Sequence, residues 1–378
     1  MENKICVYAI CKNEKKFVKK WLDSMQEADY IVVLDTGSDD GTYEELSNDP
    51  RVTRVTQKTI TPWRFDVARN ESLKLVPEDA NILICTDLDE ILRPGWAQAL
   101  RGAWVEGKHY RGYYQYIWSH TDSGDPGRVF AYDKIHDRHW IWKYPVHEML
   151  HDELGRELKD HTIMLWNDVI LEHFPDMTKS RSSYLPLLEL RAKENPDDYY
   201  GLFYLSHEYN YRGMYDKSID LLKRLVSEFK DRFSSTELAA AYLFLGDDYR
   251  KLDDKERAIY YYTLGIQAEP SYRECYLNAA EVFNELRMYE AAEAYVKMAI
   301  EKGYRHYVWV ERDNSYKGQP HDILAVAQYY IATQSKYVNK SALLREAYAN
   351  VIVARKFNPD DSRLKYNQDC IERELSKL

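Results

Sequence analysis

Ile82-Leu83-Ile84-Cys85-Thr86-Asp87-Leu88-Asp89-Glu90 is the stretch on which the reading of the chain turns. A short apolar run closed by polar residues predicts a buried strand. Asp and Glu are poor strand formers, so the acidic residues belong at its end. In open α/β sheets, ligands bind outside the carboxyl ends of the strands. Two carboxylates one residue apart at such an edge repel each other unless a cation lies between them. A hard divalent cation with oxygen ligands, Mg²⁺ or Mn²⁺, meets that need. The plainer reading is a strand running into an acidic loop, because Asp-x-Asp alone recurs by chance.

Outward from this strand, apolar runs alternate with one-faced helical spacing. Ile5 to Ile10 predicts a strand. Lys15 to Ala28 predicts a helix with Phe17, Val18, Trp21, Leu22 and Met25 on its apolar side. Tyr30 to Leu34 predicts a second strand, and residues 35–42 (DTGSDDGT) are turn chemistry. Tyr43 to Leu46 opens another helix, Val52 to Val55 a short strand, and Phe65 to Val76 a further helix. This alternation predicts a mostly parallel sheet with right-handed crossovers. Neither Gly-x-Gly-x-x-Gly nor Gly-x-x-x-x-Gly-Lys-Ser/Thr occurs, so a nucleotide would be held by side chains at strand ends. Asp35 suits a base or ribose contact, and it equally suits forming the turn of its own loop.

At 378 residues the chain has room for two domains. An apolar fraction of 45% and a charged fraction of 30% are those of a globular protein. A formal net charge of −10 argues against a sequence-independent grip on nucleic acid. The five cysteines include no Cys-x-x-Cys pair, which fits reduced thiols in a cytoplasmic protein rather than a disulfide framework or a zinc site. The first residues do not read as a secretory signal, and no run approaches the ~18 apolar residues needed to cross a bilayer. Contact with a membrane surface is the one membrane association left open.

Three segments together resemble family-2 glycosyltransferases of the A-fold. Val32-Val33-Leu34-Asp35-Thr36-Gly37-Ser38-Asp39-Asp40-Gly41-Thr42 is similar to their second-strand signature. Trp63, Phe65, Asp66, Ala68, Arg69 and Asn70 resemble their Trp…Phe-Asp/Ser…Ala-Arg-Asn segment, and Asp87-Leu88-Asp89-Glu90 resembles their Asp-x-Asp-Glu. The resemblance spans roughly residues 4–180. It is closest to a branch with a C-terminal helical repeat domain, which includes lipopolysaccharide-core-type transferases and bacteriocin peptide S-glycosyltransferases. It implies that Asp35 and Asp66 contact the uridine of a nucleotide sugar, and that Arg69 lies near the diphosphate or shapes the pocket. Asp87 would face the ribose or a metal-bound water, and Asp89 would ligate Mn²⁺ or Mg²⁺. Diphosphate leaves poorly without charge neutralisation, which a divalent cation supplies.

Further on, Trp96 to Gly107 predicts a helix. Tyr110 to Trp118, Arg128 to Tyr132 and Val169 to Phe174 predict strands. Val146-His147-Glu148 matches the family's Val-His-Glu beside the acceptor. An inverting transfer needs a base for the acceptor's proton, and Glu148 is the first candidate, ahead of Glu90 and Asp125. Glu148 could instead orient His147 or an arginine. By the same resemblance His173 completes the metal site, where imidazole suits Mn²⁺ better than Mg²⁺. Lys179 and Arg181 would meet diphosphate oxygens from a closing segment, or simply begin the next helix.

Beyond about residue 180 strand signals vanish. Tyr242, Leu245, Gly246, Tyr249, Ala258, Tyr262 and Pro270 fit a tetratricopeptide pattern. Tyr276, Ala280, Phe283, Tyr289, Ala292 and Ala299 repeat it, with 34 residues from Ala258 to Ala292. Tyr209, Gly213, Tyr215 and Ser218 form a looser earlier copy, and a degenerate helical stretch runs from Asp322 to Leu375. Residues 305–319 break the pattern, with Tyr307, Trp309 and Tyr316, and are a candidate acceptor or interface loop. The expected architecture is therefore α/β: an A-fold glycosyltransferase domain over 1–180, then an all-α tetratricopeptide-like domain over 181–378. The expected activity is metal-dependent, inverting transfer from a nucleotide sugar, a uridine diphosphate sugar foremost. The acceptor is a saccharide, a lipid-linked glycan or a peptide. The repeats offer a surface for a peptide or for a second copy of the chain. A non-catalytic repeat scaffold and a nucleotidyltransferase are the alternatives.

Overall fold

A computed structural model of the chain describes residues 3–121, 124–178, 184–302 and 312–378. Lys179, Arg181, Tyr307 and Trp309, singled out above, lie outside the described residues. The chain divides into two compact units, with the change at Asn195 and Pro196.

The first unit is built on an eight-stranded sheet in the order β3-β2-β1-β4-β7-β6-β10-β5. Its first strands are β1 (Ile5–Cys11), β2 (Tyr30–Asp35), β3 (Arg54–Gln57) and β4 (Ile82–Thr86). They run parallel, joined by α1 (Lys15–Met25), α2 (Thr42–Asn48) and α3 (Phe65–Leu73). Both faces of the sheet are covered, which is why β1, β2 and β4 read as continuous apolar runs rather than alternating ones. Odd positions of β1, Ile5, Val7 and Ala9, pack with Val18, Trp21, Leu22 and Met25 of α1. Even positions Cys6 and Tyr8 pack with Trp140, Trp142 and Leu150 on the other face.

The second half of the sheet is mixed. β5 (Glu90–Leu92) is followed by α4 (Trp96–Ala103), β6 (Arg111–Ile117) and β7 (Val129–His136). Next come the two-stranded ribbon of β8 (Trp140–Lys143) and β9 (Met149–Asp152), then β10 (Thr162–His173) and α5 (Tyr184–Glu194). The pattern at Val169 to Phe174 is thus the end of a longer strand, and the helix expected to reach Gly107 stops at Ala103. The β8–β9 ribbon is not apparent in the sequence reading, because its strands are only four residues each and carry charged residues. Helix α5 packs with the sheet unit, so the first compact unit runs past the expected division at 180.

The second unit is helical. α6 (Tyr199–Tyr211), α7 (Tyr215–Glu228), α8 (Ser235–Lys251), α9 (Lys255–Ala268), α10 (Arg273–Glu285) and α11 (Tyr289–Glu301) lead to α12 (Gly318–Gln334), α13 (Lys340–Phe357) and α14 (Ser362–Leu375). Each helix packs on the next in sequence, the stacking expected of tetratricopeptide-like pairs. Gly246 has no room for a side chain, because the Tyr262 ring lies against it; Cys275 and the Ala239 carbonyl lie against Gly265 in the same way. α8 opens with a capping box between Ser234 and Glu237, and α13 is capped by Asn339, where the sequence pattern is interrupted. No helix among the described residues is long and apolar enough to cross a membrane.

Candidate functional site

β4 is buried along its length and ends where Asp87 begins. The Glu90 amide donates to the Asp87 carbonyl (3.1 Å), closing a tight turn. Leu88 plugs this turn into the core at 1% exposure, and the aspartates flank it. Glu90 is not part of an acidic loop: it is the first residue of β5 and is buried. Its Oε2 accepts the Asp87 amide (2.9 Å) and its Oε1 accepts the Tyr116 hydroxyl (2.8 Å). Burial raises its carboxyl above the usual range. Glu90 thus braces the turn.

Two cations reach Asp87. Arg69, from the buried face of α3, places Nη2 2.9 Å from Asp87 Oδ1. Its Nε donates to Glu148 Oε1 (2.5 Å) and its Nη1 to Cys85 Sγ (3.0 Å). The guanidinium also lies over the Trp142 ring, 5.2 Å from the centroid. Lys134 of β7 is buried, with Nζ 3.6 Å from Asp87 Oδ2 and 4.0 Å from Glu90 Oε1. Burial pushes the Asp87 carboxyl up, but Arg69 and Lys134 outweigh it, and Asp87 is held well below the usual carboxylate range. Burial likewise opposes the charge on Lys134, and Glu90, Tyr132 and Asp87 more than restore it.

Asp89 faces His173, with Oδ2 3.5 Å from Nε2. β5 and β10 pair antiparallel with Glu90 opposite His173, and this register brings the two side chains together. His173 Nδ1 lies 3.1 Å from the Trp118 carbonyl, so the ring proton belongs there and the Nε2 lone pair faces a carboxylate. Two acceptors in that position call for a proton or a metal ion between them. Burial lowers the His173 imidazole and Asp89 raises it, with a net rise. Among the described residues, no group of three His, Cys, Asp or Glu side chains is gathered closely enough to hold a metal ion.

The other expected residues have partners of their own. Asp35, at the end of β2, is fully buried. Its Oδ1 accepts from the Gly37 and Ser38 amides and from Gln57 Nε2, at 2.9, 2.8 and 2.9 Å. Burial alone would raise its carboxyl, and the bonds from Ser38, Gln57 and Gly37 bring it below the usual value. Asp66 forms a two-point pair with Arg64 (Nε–Oδ1 3.1 Å, Nη2–Oδ2 2.9 Å). Asn70, the last residue of the Ala-Arg-Asn segment, pairs with the backbone of β8. Its Nδ2 donates to the Trp142 carbonyl (2.8 Å) and its Oδ1 accepts the Trp142 amide (2.9 Å).

Arg69, Asp87 and Glu148 are therefore one cluster and Asp89 with His173 an adjoining pair. Residues 6–143 match the family model described as glycosyl transferase family 2. The N-terminal domain belongs to that family. The match ends before Glu148, which lies between β8 and β9, and before His173, the last residue of β10. A search among curated proteins gave no match. Solved structures similar to parts of the chain include MamA, 17% identical over 50% of this chain and 99% of that one, with a TM-score of 0.35. A thermophilic TPR protein of Thermus thermophilus is 22% identical over 50% and 89%, with a TM-score of 0.34. The first TPR of Spaghetti bound to an HSP90 peptide is 18% identical over 37% and 98%, with a TM-score of 0.30. Likenesses of this size carry no inference, and the repeat arrangement stands on the helix packing.

Lys134 was not among the residues expected at the site. Period-two alternation along β7 puts it on the face of Phe130 and Tyr132, and a lone lysine on an aromatic strand face is the signal that was there to find.

Proposed function

We propose that the chain is a metal-dependent, inverting glycosyltransferase that moves a sugar from a nucleotide sugar, a uridine diphosphate sugar foremost, to a saccharide, lipid-linked or peptide acceptor. The observation that carries this reading is where the Asp87-Leu88-Asp89 turn lies. β1, β2 and β3 are laid down outward in one direction, and the chain then returns to set β4 on the other side of β1. The acidic turn sits at the carboxyl end of β4, at this reversal, where open α/β sheets take their ligands.

Asp89 and His173 would hold the divalent cation, and their chemistry fits it. A carboxylate oxygen faces an imidazole nitrogen whose other nitrogen is fixed by a backbone carbonyl, the usual support of a metal-bound histidine. When bound, the cation would neutralise the departing diphosphate. Arg69 and Lys134 keep Asp87 ionised toward the ribose or a bound water. Glu148 takes the acceptor's proton through Oε2, since Oε1 is engaged by Arg69. The acceptor forms its bond to the anomeric carbon as the bond from that carbon to the diphosphate oxygen breaks on the opposite face. Asp35 and Asp66 are proposed to reach the uridine, each exchanging part of its present hydrogen bonding for the base or ribose.

Incubation of the full chain with Mn²⁺ and uridine diphosphate sugars tests the reading. Wild type should release uridine diphosphate, and Asp89→Ala should not. Equal background release from both would favour a scaffold, and pyrophosphate as product would favour nucleotidyl transfer.

A further inference from the structure

We infer that α5, which lies beyond the family-matched segment, is a positioning helix of the reaction site, and that Arg191 is the residue through which it sets Glu148. The inference rests on Glu148 being the base.

The turn before Glu148 is strained. Tyr144 has φ of 81° and His147 φ of 48°, the left-handed region that side-chain-bearing residues rarely enter. Such a backbone persists only where its surroundings over-determine it. Arg191 does so. Its side chain is fully buried, and its Nη1 donates to the carbonyls of both Val146 (3.0 Å) and His147 (2.7 Å). Its guanidinium lies 3.9 Å from the centroid of the Tyr144 ring. One planar group thus meets both strained residues and the Val146 carbonyl between them, and the next side chain in the chain is Glu148, aimed at Arg69.

α5 reaches the donor side as well. Glu194 accepts from Arg64 Nη1 (2.7 Å), and Arg64 in turn forms the two-point pair with Asp66. Tyr184, at the start of the helix, has its ring 5.8 Å from that of His147 and 6.2 Å from that of Phe65. The start of α3 and the turn before Glu148 are also joined directly, the Phe65 amide donating to the Pro145 carbonyl (3.0 Å). A helix that only covered the sheet would bury Leu187, Leu188 and a third apolar residue at this spacing. An arginine there carries a desolvation cost that its bonds to the turn offset.

The test uses the full chain with Mn²⁺ and whichever of UDP-glucose, UDP-galactose, UDP-N-acetylglucosamine and UDP-glucuronic acid it hydrolyses fastest. Glu148→Gln should lower kcat by about 100-fold or more, the span of general base catalysis. Arg191→Met should lower kcat by about 10- to 100-fold, the effect of displacing a reacting group by about an ångström, with calorimetric affinity for uridine diphosphate within about twofold of wild type. Arg191→Lys, which keeps a donor to the carbonyls, should recover part of the loss. A kcat for Arg191→Met within about twofold of wild type, beside an inactive Glu148→Gln, would overturn the inference. So would a fall in uridine diphosphate affinity in step with kcat, which a purely structural role produces. Should Arg191→Met fail to fold, Arg191→Lys carries the test: a lowered kcat with unchanged uridine diphosphate affinity supports the inference, and kcat and affinity falling in step overturn it. Near-wild-type kcat in Glu148→Gln would remove the base assignment itself, whatever the Arg191 variants do.

Discussion

Arg69→Met keeps the length of the side chain and removes its charge from between two carboxylates. The Arg69 side chain is 4% exposed, that of Glu148 11% and that of Asp87 37%. Stripping a buried ion of its partner costs about 3–5 kcal/mol. Asp87 is more than a third open to water and keeps Lys134 at 3.6 Å, so its share is small. The cost falls on Glu148, and we expect about 3 kcal/mol to be lost from the sheet unit, the lower end of that range. For a domain of this size, about 2–4 °C per kcal/mol lowers its calorimetric transition by about 6–12 °C. Adding Glu148→Gln removes the orphaned charge. The double variant should therefore be at least about 1 kcal/mol more stable than Arg69→Met alone. A transition lowered by less than about 2 °C, or two strictly additive substitutions, would refute the reasoning.

Tyr8→Phe should destabilise the sheet unit by about 2–6 kcal/mol in urea unfolding, at about 1–3 kcal/mol for each of the two buried groups left unpaired. The Tyr8 hydroxyl accepts Trp142 Nε1–H (2.9 Å) and donates to His136 Nε2 (2.7 Å), and both partners are buried. Burial pushes His136 down to about 4 from 6.5, so between those values the unfolded chain binds a proton that the folded chain does not. This contribution to stability is complete above pH 6.5 and declines as pH falls toward 4, by about 3 kcal/mol in all; urea unfolding at intervals of pH should show that slope, and His136→Gln should flatten it. Gly246→Ala sets a methyl against the Tyr262 ring and should cost the helical unit about 1–3 kcal/mol by overpacking, read as a fall in the urea midpoint. Ser234→Ala removes the capping box of α8 and should cost about 1 kcal/mol by the same measurement.

The parallel half of the sheet was legible because strands buried on both faces leave unbroken apolar runs, and the acidic break after Thr86 marks where one ends. The helical repeats were legible through small residues such as Gly246 and Ala258, fixed by close contact between helices. Glu90 was harder to read. Three acidic letters within four positions look alike, but a tight turn sets Asp87 beside Arg69, Asp89 beside His173 and Glu90 in the core to hold the turn. Asp35 shows the limit of residue type as a guide, because a carboxylate after a strand serves its own loop as readily as a ligand. Arg69 and Glu148 are 79 positions apart, and nothing local in either segment states that they touch. Arg191 lies between the transferase-like segments and the repeats, in no motif, and its burial beside Leu187 and Leu188 emerges only once α5 is packed.

The amide of Asn70 meets the peptide group of Trp142 as a neighbouring strand would, giving one donor and taking one. That reciprocity narrows what evolution can write at this position. Aspartate offers an acceptor where the carbonyl of residue 142 needs a donor, leucine offers neither, and glutamine carries the same amide a methylene too far. Among relatives that keep the ribbon on the third helix, asparagine should be the letter that does not drift.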